Sequence, residues 1–221
     1  MTIDILDKTF YIISVAREIY KKGGPMKLEK ILKMNVGPNS TRIRGQYPEV
    51  PVYSVSDLED DLFQKPSEMV TSHEEHSGPA FTKAGNLLIS IIKEKACIVS
   101  EGNGGKLFTS AFIRCQYDEK ILDPWFFCFF FNESEEVGKI IHVRSGMPGL
   151  GYYHLNTEII GQIEIDLPPL EKQKTLGNLY QGCLKQLRLY DMKKEVLKKA
   201  VNLVINVELE KAMKLIYGKH E

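Results

Sequence analysis

The side chains with the widest chemical reach gather in a few short stretches. His142-Val-Arg144-Ser-Gly-Met-Pro-Gly-Leu-Gly151-Tyr152-Tyr153-His154 sets an arginine, two tyrosines and two histidines around glycines. A glycine-rich loop approaches a backbone closely, and these side chains offer donors and flat faces to a nucleic acid. The ordinary alternative is a loop whose Tyr152 and Tyr153 cap a core, and the sequence leaves both open. Arg42 and Arg44 stand two residues apart between Val36 and Tyr47, a stretch whose Gly, Pro, Asn and Ser read as loop. On an extended chain they share a side. A guanidinium presents a fork to a phosphate or a guanine edge, but solvated loop charges explain the pair equally simply.

Two further stretches mimic known chemistries and fail their spacing. Ser72-His73-Glu-Glu-His76 is not H-E-x-x-H, because the second histidine comes one residue early, and no third ligand is suggested. His73 and His76 are therefore expected on a surface loop that reaches a partner. Gly102-Asn-Gly-Gly-Lys106 departs from the phosphate-loop pattern at both ends, since Leu107 follows the lysine. A hairpin turn is the expectation. Lys106, and Lys93 on the preceding turn, remain candidate phosphate contacts. No nucleophile–base pair, carboxylate pair, metal cluster or cofactor loop emerges. The chain is expected to be non-catalytic and to need no cofactor.

The elements that must position these residues follow from pattern. Residues 3–22 read as an amphipathic helix, with Ile5, Leu6, Phe10, Ile13, Arg17 and Tyr20 at helical spacing, ended by Gly23-Gly24-Pro25. Residues 27–33 read as a short helix or a strand lead-in, Pro51–Val55 as a buried strand, and residues 59–85 as polar and irregular. The strongest strand signals are Leu87–Ile92, Ala96–Ser100 and Leu107–Arg114. Asp123-Pro124 is a helix opening, with Asp as cap and Pro at the first position, so the run Trp125–Phe131 is expected to be a short buried helix. Asn156–Ile160 reads as a helical turn and Gln162–Leu167 as a closing strand.

Paired prolines at 168 and 169 end this strand-rich region, and 48 proline-free residues follow, Leu170 to Tyr217. Proline suits the turn before a helix or its first position. Glu171 would then fall in the first turn, where a negative charge favours the helix dipole. Leu176, Leu179, Tyr180, Cys183, Leu187, Tyr190, Leu197, Val201, Val204, Ala212 and Leu215 form an apolar stripe, interrupted near Lys193-Lys194 and at Glu208. A long one-sided helix wants a partner. The β-branched run Val201–Asn206 marks a place where the helix could break. The expected division is residues 1–24 as an N-terminal helix, 25–168 as a globular domain and 169–221 as a helical dimerisation region, giving an α+β, β-rich fold with a coiled-coil-like tail.

At 221 residues there is room for one domain and an appendage. An apolar fraction of 43% supports a core. No run of 18 apolar residues points to a membrane span. The N-terminus lacks the basic start and cleavage site of a signal peptide. Cys97, Cys115, Cys128 and Cys183 have no C-x-x-C pairing and read as reduced thiols of a cytoplasmic protein. Net charge is zero but unevenly shared. Residues 26–170 carry 14 Lys/Arg and 20 Asp/Glu, whereas residues 171–221 carry 11 and six. The globular part is acidic, so any DNA binding there must rest on local clusters rather than bulk charge.

Leu167-Pro-Pro-Leu-Glu-Lys-Gln-Lys174 resembles the LPPL-x-x-Q segment that closes a target recognition domain in the specificity subunits of type I restriction-modification enzymes. The upstream order agrees: Met26-Lys-Leu-Glu-Lys-Ile31, Val50-Pro-Val-Tyr-Ser-Val-Ser-Asp-Leu58, Ala84-Gly-Asn-Leu-Leu-Ile-Ser90 and Leu122-Asp-Pro-Trp125. The family usually has Gly-Asp where Gly85-Asn86 stands here. Its full-length members carry two recognition domains and two helical spacers, and this chain has room for one of each.

The resemblance implies a DNA-recognition subunit. It would bind double-stranded DNA and direct a separate methyltransferase subunit, which carries S-adenosylmethionine, to adenines in a bipartite site; a restriction subunit can join. The spacer would set the half-site separation, and a homodimer of half-subunits would read an interrupted palindrome. The competing expectation is an orphan or decoy module that occupies the methyltransferase without reading DNA. The expected DNA-facing set is Arg42, Arg44, His73, His76, Lys93, Lys106, Arg144, Tyr152, Tyr153 and His154. The expected dimerisation set is Leu176, Leu179, Cys183, Leu187, Tyr190, Leu197, Val201 and Val204.

Overall fold

The computed structural model describes residues 24–64, 78–145 and 155–217, with side chains for all of these except 144–145 and 214–217. The expected helix over residues 3–22 lies outside the described residues. The chain divides into two compact units, Met1–Gln181 and Gly182–Glu221.

The first unit is built on a four-stranded antiparallel sheet of order β2-β5-β3-β4, formed by β2 (Lys33–Val36), β5 (Phe112–Gln116), β3 (Leu87–Ser90) and β4 (Lys95–Ile98). All four residues of Leu87-Leu-Ile-Ser90 are buried, as an apolar run on an interior strand covered on both faces must be. The register sets Leu88 opposite both Cys97 and Arg114. A two-stranded ladder, β1 (Met26–Lys27) with β6 (Glu164–Ile165), ties the entry of the domain to its exit.

The edge strand β4 is closed by a side chain. Asn132 accepts from the Ala96 N–H at 2.7 Å and donates to the Ala96 carbonyl at 2.9 Å, replacing the neighbouring strand that β4 lacks. Asn132 lies on α3 (Pro124–Glu133), whose residues from Phe126 to Asn132 are buried. Asp123 caps this helix, accepting from the Phe126 N–H at 2.8 Å, and Pro124 opens it, so the short buried helix expected there is present. Asn156 likewise caps α5 (Thr157–Gly161).

Several expectations are corrected. Val36–Tyr47 is not all loop: Asn39 caps α1 (Ser40–Gln46), its side chain accepting from the N–H groups of Thr41 and Arg42. The same Pro, Asn and Ser that suit a loop suit a helix start. Pro51–Val55 contributes only the bridge Val52–Leu107, and Ser54 instead starts α2 (Val55–Leu62) with a capping box to Asp57. Glu59, Asp60 and Asp61 belong to that helix. Gly102–Lys106 is not a hairpin turn, because β3 lies between β4 and β5. The stretch begins as a 3-10 turn, Glu101–Asn103, and the following strand starts only at Phe112. His142 to Ser145 close α4 (Glu135–Ser145) rather than opening a loop. The final helix, α6 (Leu170–Tyr217), runs 48 residues with no break at Val201–Asn206.

Candidate nucleic-acid interface

The path from β2 into α1 is pinned to the approach of β5. Gly37 donates its N–H to the Phe112 carbonyl at 3.1 Å, and Ser110 donates to the Pro38 carbonyl at 2.9 Å. A Cβ on Gly37 would fall 2.2 Å from the Thr109 carbonyl oxygen, so only glycine permits this approach. Ile43 then buries with Phe81 and Leu107, and Val50, Val52 and Ala80 pack against them. The Tyr47 ring meets the Phe81 ring edge-on, centroids 5.1 Å apart.

This anchoring turns Arg42 and Arg44 outward on either side of Ile43, and both are exposed. On a helix, residues two apart point about 200° from one another. They therefore do not share a side, which corrects the extended-chain expectation.

Arg114 stands behind Phe81. Its Nη2 donates to the Phe81 carbonyl at 2.6 Å, and its Cζ lies 4.6 Å from the centroid of the Phe108 ring. The side chain is partly buried, and burial draws its pKa below the usual guanidinium value. Among the described residues no Asp or Glu pairs with it. In the sequence it stands only as the last residue of the strand expected over Leu107–Arg114. The available signal was a lone cation closing an apolar run, with phenylalanines two and six residues before it.

The two candidate lysines go elsewhere. Lys106 pairs with Asp57 at 2.7 Å and donates to Asn103 Oδ1 at 2.7 Å, with both charged side chains largely buried. Lys93 pairs with Glu59 at 3.0 Å on the surface. Both bind the acidic α2, so Lys106 is a structural cation rather than an open phosphate ligand. Beneath it, Asp61 is buried and accepts from Tyr53 Oη at 2.7 Å, Asn103 Nδ2 at 2.7 Å and the Ser100 N–H at 3.1 Å. Burial raises the Asp61 carboxyl above the usual range, and these hydrogen bonds oppose the rise.

Arg144 falls in the last turn of α4, where His142 is exposed. The side chain of Arg144, and all of His73, His76, Tyr152, Tyr153 and His154, lie outside what is described. Among the described residues no group of three potential ligands could hold a metal. All four cysteines are free thiols. No helix among the described residues is long and apolar enough to cross a membrane.

The expected dimerisation set divides. Leu176 is buried within the first unit, so it belongs to that core and not to an interface. Tyr180, also buried, donates to Glu133 at 2.9 Å and accepts from Asn132 at 3.2 Å. Leu179, Leu187, Tyr190, Leu197, Val201 and Val204 are exposed, and Cys183 is partly so. From Leu176 the positions Tyr180, Cys183, Leu187, Tyr190, Lys194, Leu197, Val201, Val204 and Glu208 alternate in steps of four and three, a heptad seam with two charged members.

No family model matches the sequence, and no curated protein does. Solved structures do match. An HsdS subunit from Thermoanaerobacter tengcongensis aligns with a TM-score of 0.53 and 12% identity, over 86% of this chain and 46% of that one. A chain from the type I R-M system, studied for its complex assembly and conformational transition, aligns with a TM-score of 0.60 and 11% identity, over 96% and 53%. This is the fold of a type I restriction-modification specificity subunit. The chain spans about half the length of the specificity-subunit structures it matches. At this identity the likeness is one of fold alone, and the loops and charges described above are this chain's own.

Proposed function

We propose that the chain is a DNA-recognition subunit of a type I restriction-modification system. It reads one half of a bipartite site and guides a separate adenine methyltransferase subunit there. The observation that carries this is the alignment of 96% of the chain with 53% of a type I R-M chain at a TM-score of 0.60. This chain holds a compact unit, Met1–Gln181, and one long helix, Leu170–Tyr217.

Two copies would supply both halves. The heptad seam supports pairing through α6, and its charges favour the antiparallel direction. Residues 185–199 carry six Lys/Arg and two Asp/Glu, whereas residues 200–217 carry two of each. Antiparallel helices set the basic half of one against the neutral half of the other, and parallel helices set basic against basic. Val201 lies seven residues from both Lys194 and Glu208, so a pair centred there brings Lys194 of one helix near Glu208 of the other.

One observation favours a second reading, a module that holds the methyltransferase without reading DNA. Residues 26–170 are acidic, with 14 Lys/Arg against 20 Asp/Glu, and Lys93 and Lys106 are paired internally. The adenine methylome of the host, with and without this gene, decides between them. Loss of one split palindromic motif on deletion supports the recognition reading. An unchanged methylome, with the partner methyltransferase expressed, sinks it.

A further inference from the structure

We propose that Arg114 is a phosphate-binding residue: the guanidinium held between the Phe108 ring and the Phe81 carbonyl receives a backbone phosphate of duplex DNA. The proposal rests on the recognition reading above and gives it a specific contact.

The position is unusual for an arginine. Arg114 lies on β5, an interior strand, opposite Asn35 of β2 and Leu88 of β3. Its neighbours Ile113 and Cys115 are buried. A guanidinium has five N–H donors, and here one acceptor is in place, the Phe81 carbonyl. Among the described residues the enclosed Nε–H has no hydrogen-bond partner. A partly buried cation that serves only structure is ordinarily met by a carboxylate or by several carbonyls, because an uncompensated charge away from water is costly. Asp57 and Glu59 show that this domain places carboxylates against cations where it needs them, at Lys106 and Lys93.

What Arg114 has instead is orientation. The stacking on Phe108 and the bond to Phe81 fix the plane of the fork before any ligand arrives, which lowers the ordering cost of binding a planar-matched anion. The same Phe81 whose carbonyl holds Arg114 carries the ring that supports Ile43 and Tyr47, so Arg114 and α1 are anchored on one residue. A phosphate contact explains why the sheet carries a cation here with no acid beside it among the described residues. It also gives an acidic domain a local cationic foothold on DNA.

The test uses the full chain and a 30-base-pair duplex of mixed sequence, since a phosphate contact is independent of sequence. Anisotropy titrations are run from low to moderate salt for wild type, Arg114→Gln and Arg114→Met, with thermal melts to establish the folded fraction. Each phosphate neutralised contributes about 0.9 to the slope of log K against log salt. The expected result is a slope smaller by about 0.9 in both neutral variants, weaker binding at low salt, and a folded protein. Folded variants with the wild-type slope overturn the proposal. Should both variants fail to fold, the side-chain Nε–H resonance of Arg114 in wild type, assigned by Arg114→Lys, decides instead. It should shift on adding the duplex, and an unmoved resonance on saturation overturns the assignment. Wild type that binds no duplex at any salt overturns the recognition reading along with this one. Wild type that binds while Arg114 is indifferent overturns this one alone.

Discussion

The side-chain oxygen of Gln173 accepts the backbone N–H of Asp123 at 2.9 Å. The nitrogen of the same amide donates to the carbonyls of Ile121 and Pro168, each at 2.9 Å, and Gln173 is only 1% exposed. Three hydrogen bonds thus close the first turn of α6 onto the turn that opens α3. One turn further, Gly177 stands over the same aspartate. A Cβ there would lie 2.5 Å from Asp123 Oδ1, the oxygen that caps Phe126. Gln173→Leu leaves one donor and two acceptors unpaired, at about 1–3 kcal/mol for each group left unmet. The expected loss is about 3 kcal/mol or more, read as a lower urea midpoint. Gln173→Glu is expected to fare no better, since it cannot donate to either carbonyl, and Gly177→Ala to destabilise by displacing the cap. A Gln173→Leu variant as stable as wild type refutes the account.

Asp61 gives a pH prediction with a definite sign. Burial raises its carboxyl above the ordinary value of 3.8, so the folded state favours the protonated form. Stability from this group is therefore fully present below 3.8 and is lost as pH rises through the raised value. Asp61→Asn removes that titration. Urea midpoints of the variant should fall less than those of wild type between pH 4 and neutrality, although the variant starts lower, having lost a carboxylate that accepts from Tyr53, Asn103 and Ser100. Parallel curves would show that the carboxyl is not perturbed.

What could be read from the sequence was local backbone chemistry. Asp123-Pro124 announces one helix start and Pro168-Pro169 another, because capping oxygens and missing N–H groups act within a few residues. Asn39 follows the same rule, but its stretch also fits a loop, since Pro, Asn and Ser suit both outcomes. The rest depends on pairings distant in sequence. Gly102–Lys106 fails as a hairpin because β3 inserts between the strands it would join. Lys106 finds its acid 49 residues away, and Arg114 its carbonyl 33 residues away. No periodicity in either neighbourhood encodes those partners.

Arg42 and Arg44 should not behave alike. On an extended strand both would meet the same DNA surface and their losses would be similar. On α1 they point about 200° apart, with Ile43 buried between them. If either reads a base, Arg→Ala at that position should weaken specific binding by about 1–3 kcal/mol, while the other changes affinity by much less. Anisotropy with the cognate duplex measures both. Equal losses would mean that the helix is not the element that enters DNA.

The α6 seam makes the last prediction, and it concerns face as well as hydrophobicity. Val201 and Leu197 lie on the heptad seam, whereas Val196 and Leu203 lie on another side of the helix, and all four are exposed. A general stickiness of the helix would make every one of them matter. Pairing through the seam makes only its own positions matter. Val201→Glu places two carboxylates near one another at the centre of an antiparallel pair, in an interface that must exclude water. Sedimentation equilibrium at micromolar concentration should then give a dimer for wild type and for Val196→Glu, and a monomer for Val201→Glu. Since α6 beyond Gln181 forms its own unit, the thermal transition of the first unit should not move. A wild type that is monomeric under these conditions removes the homodimer and leaves one half-site per chain. A dimer lost equally at Val196 and Val201 would place the contact on no single face.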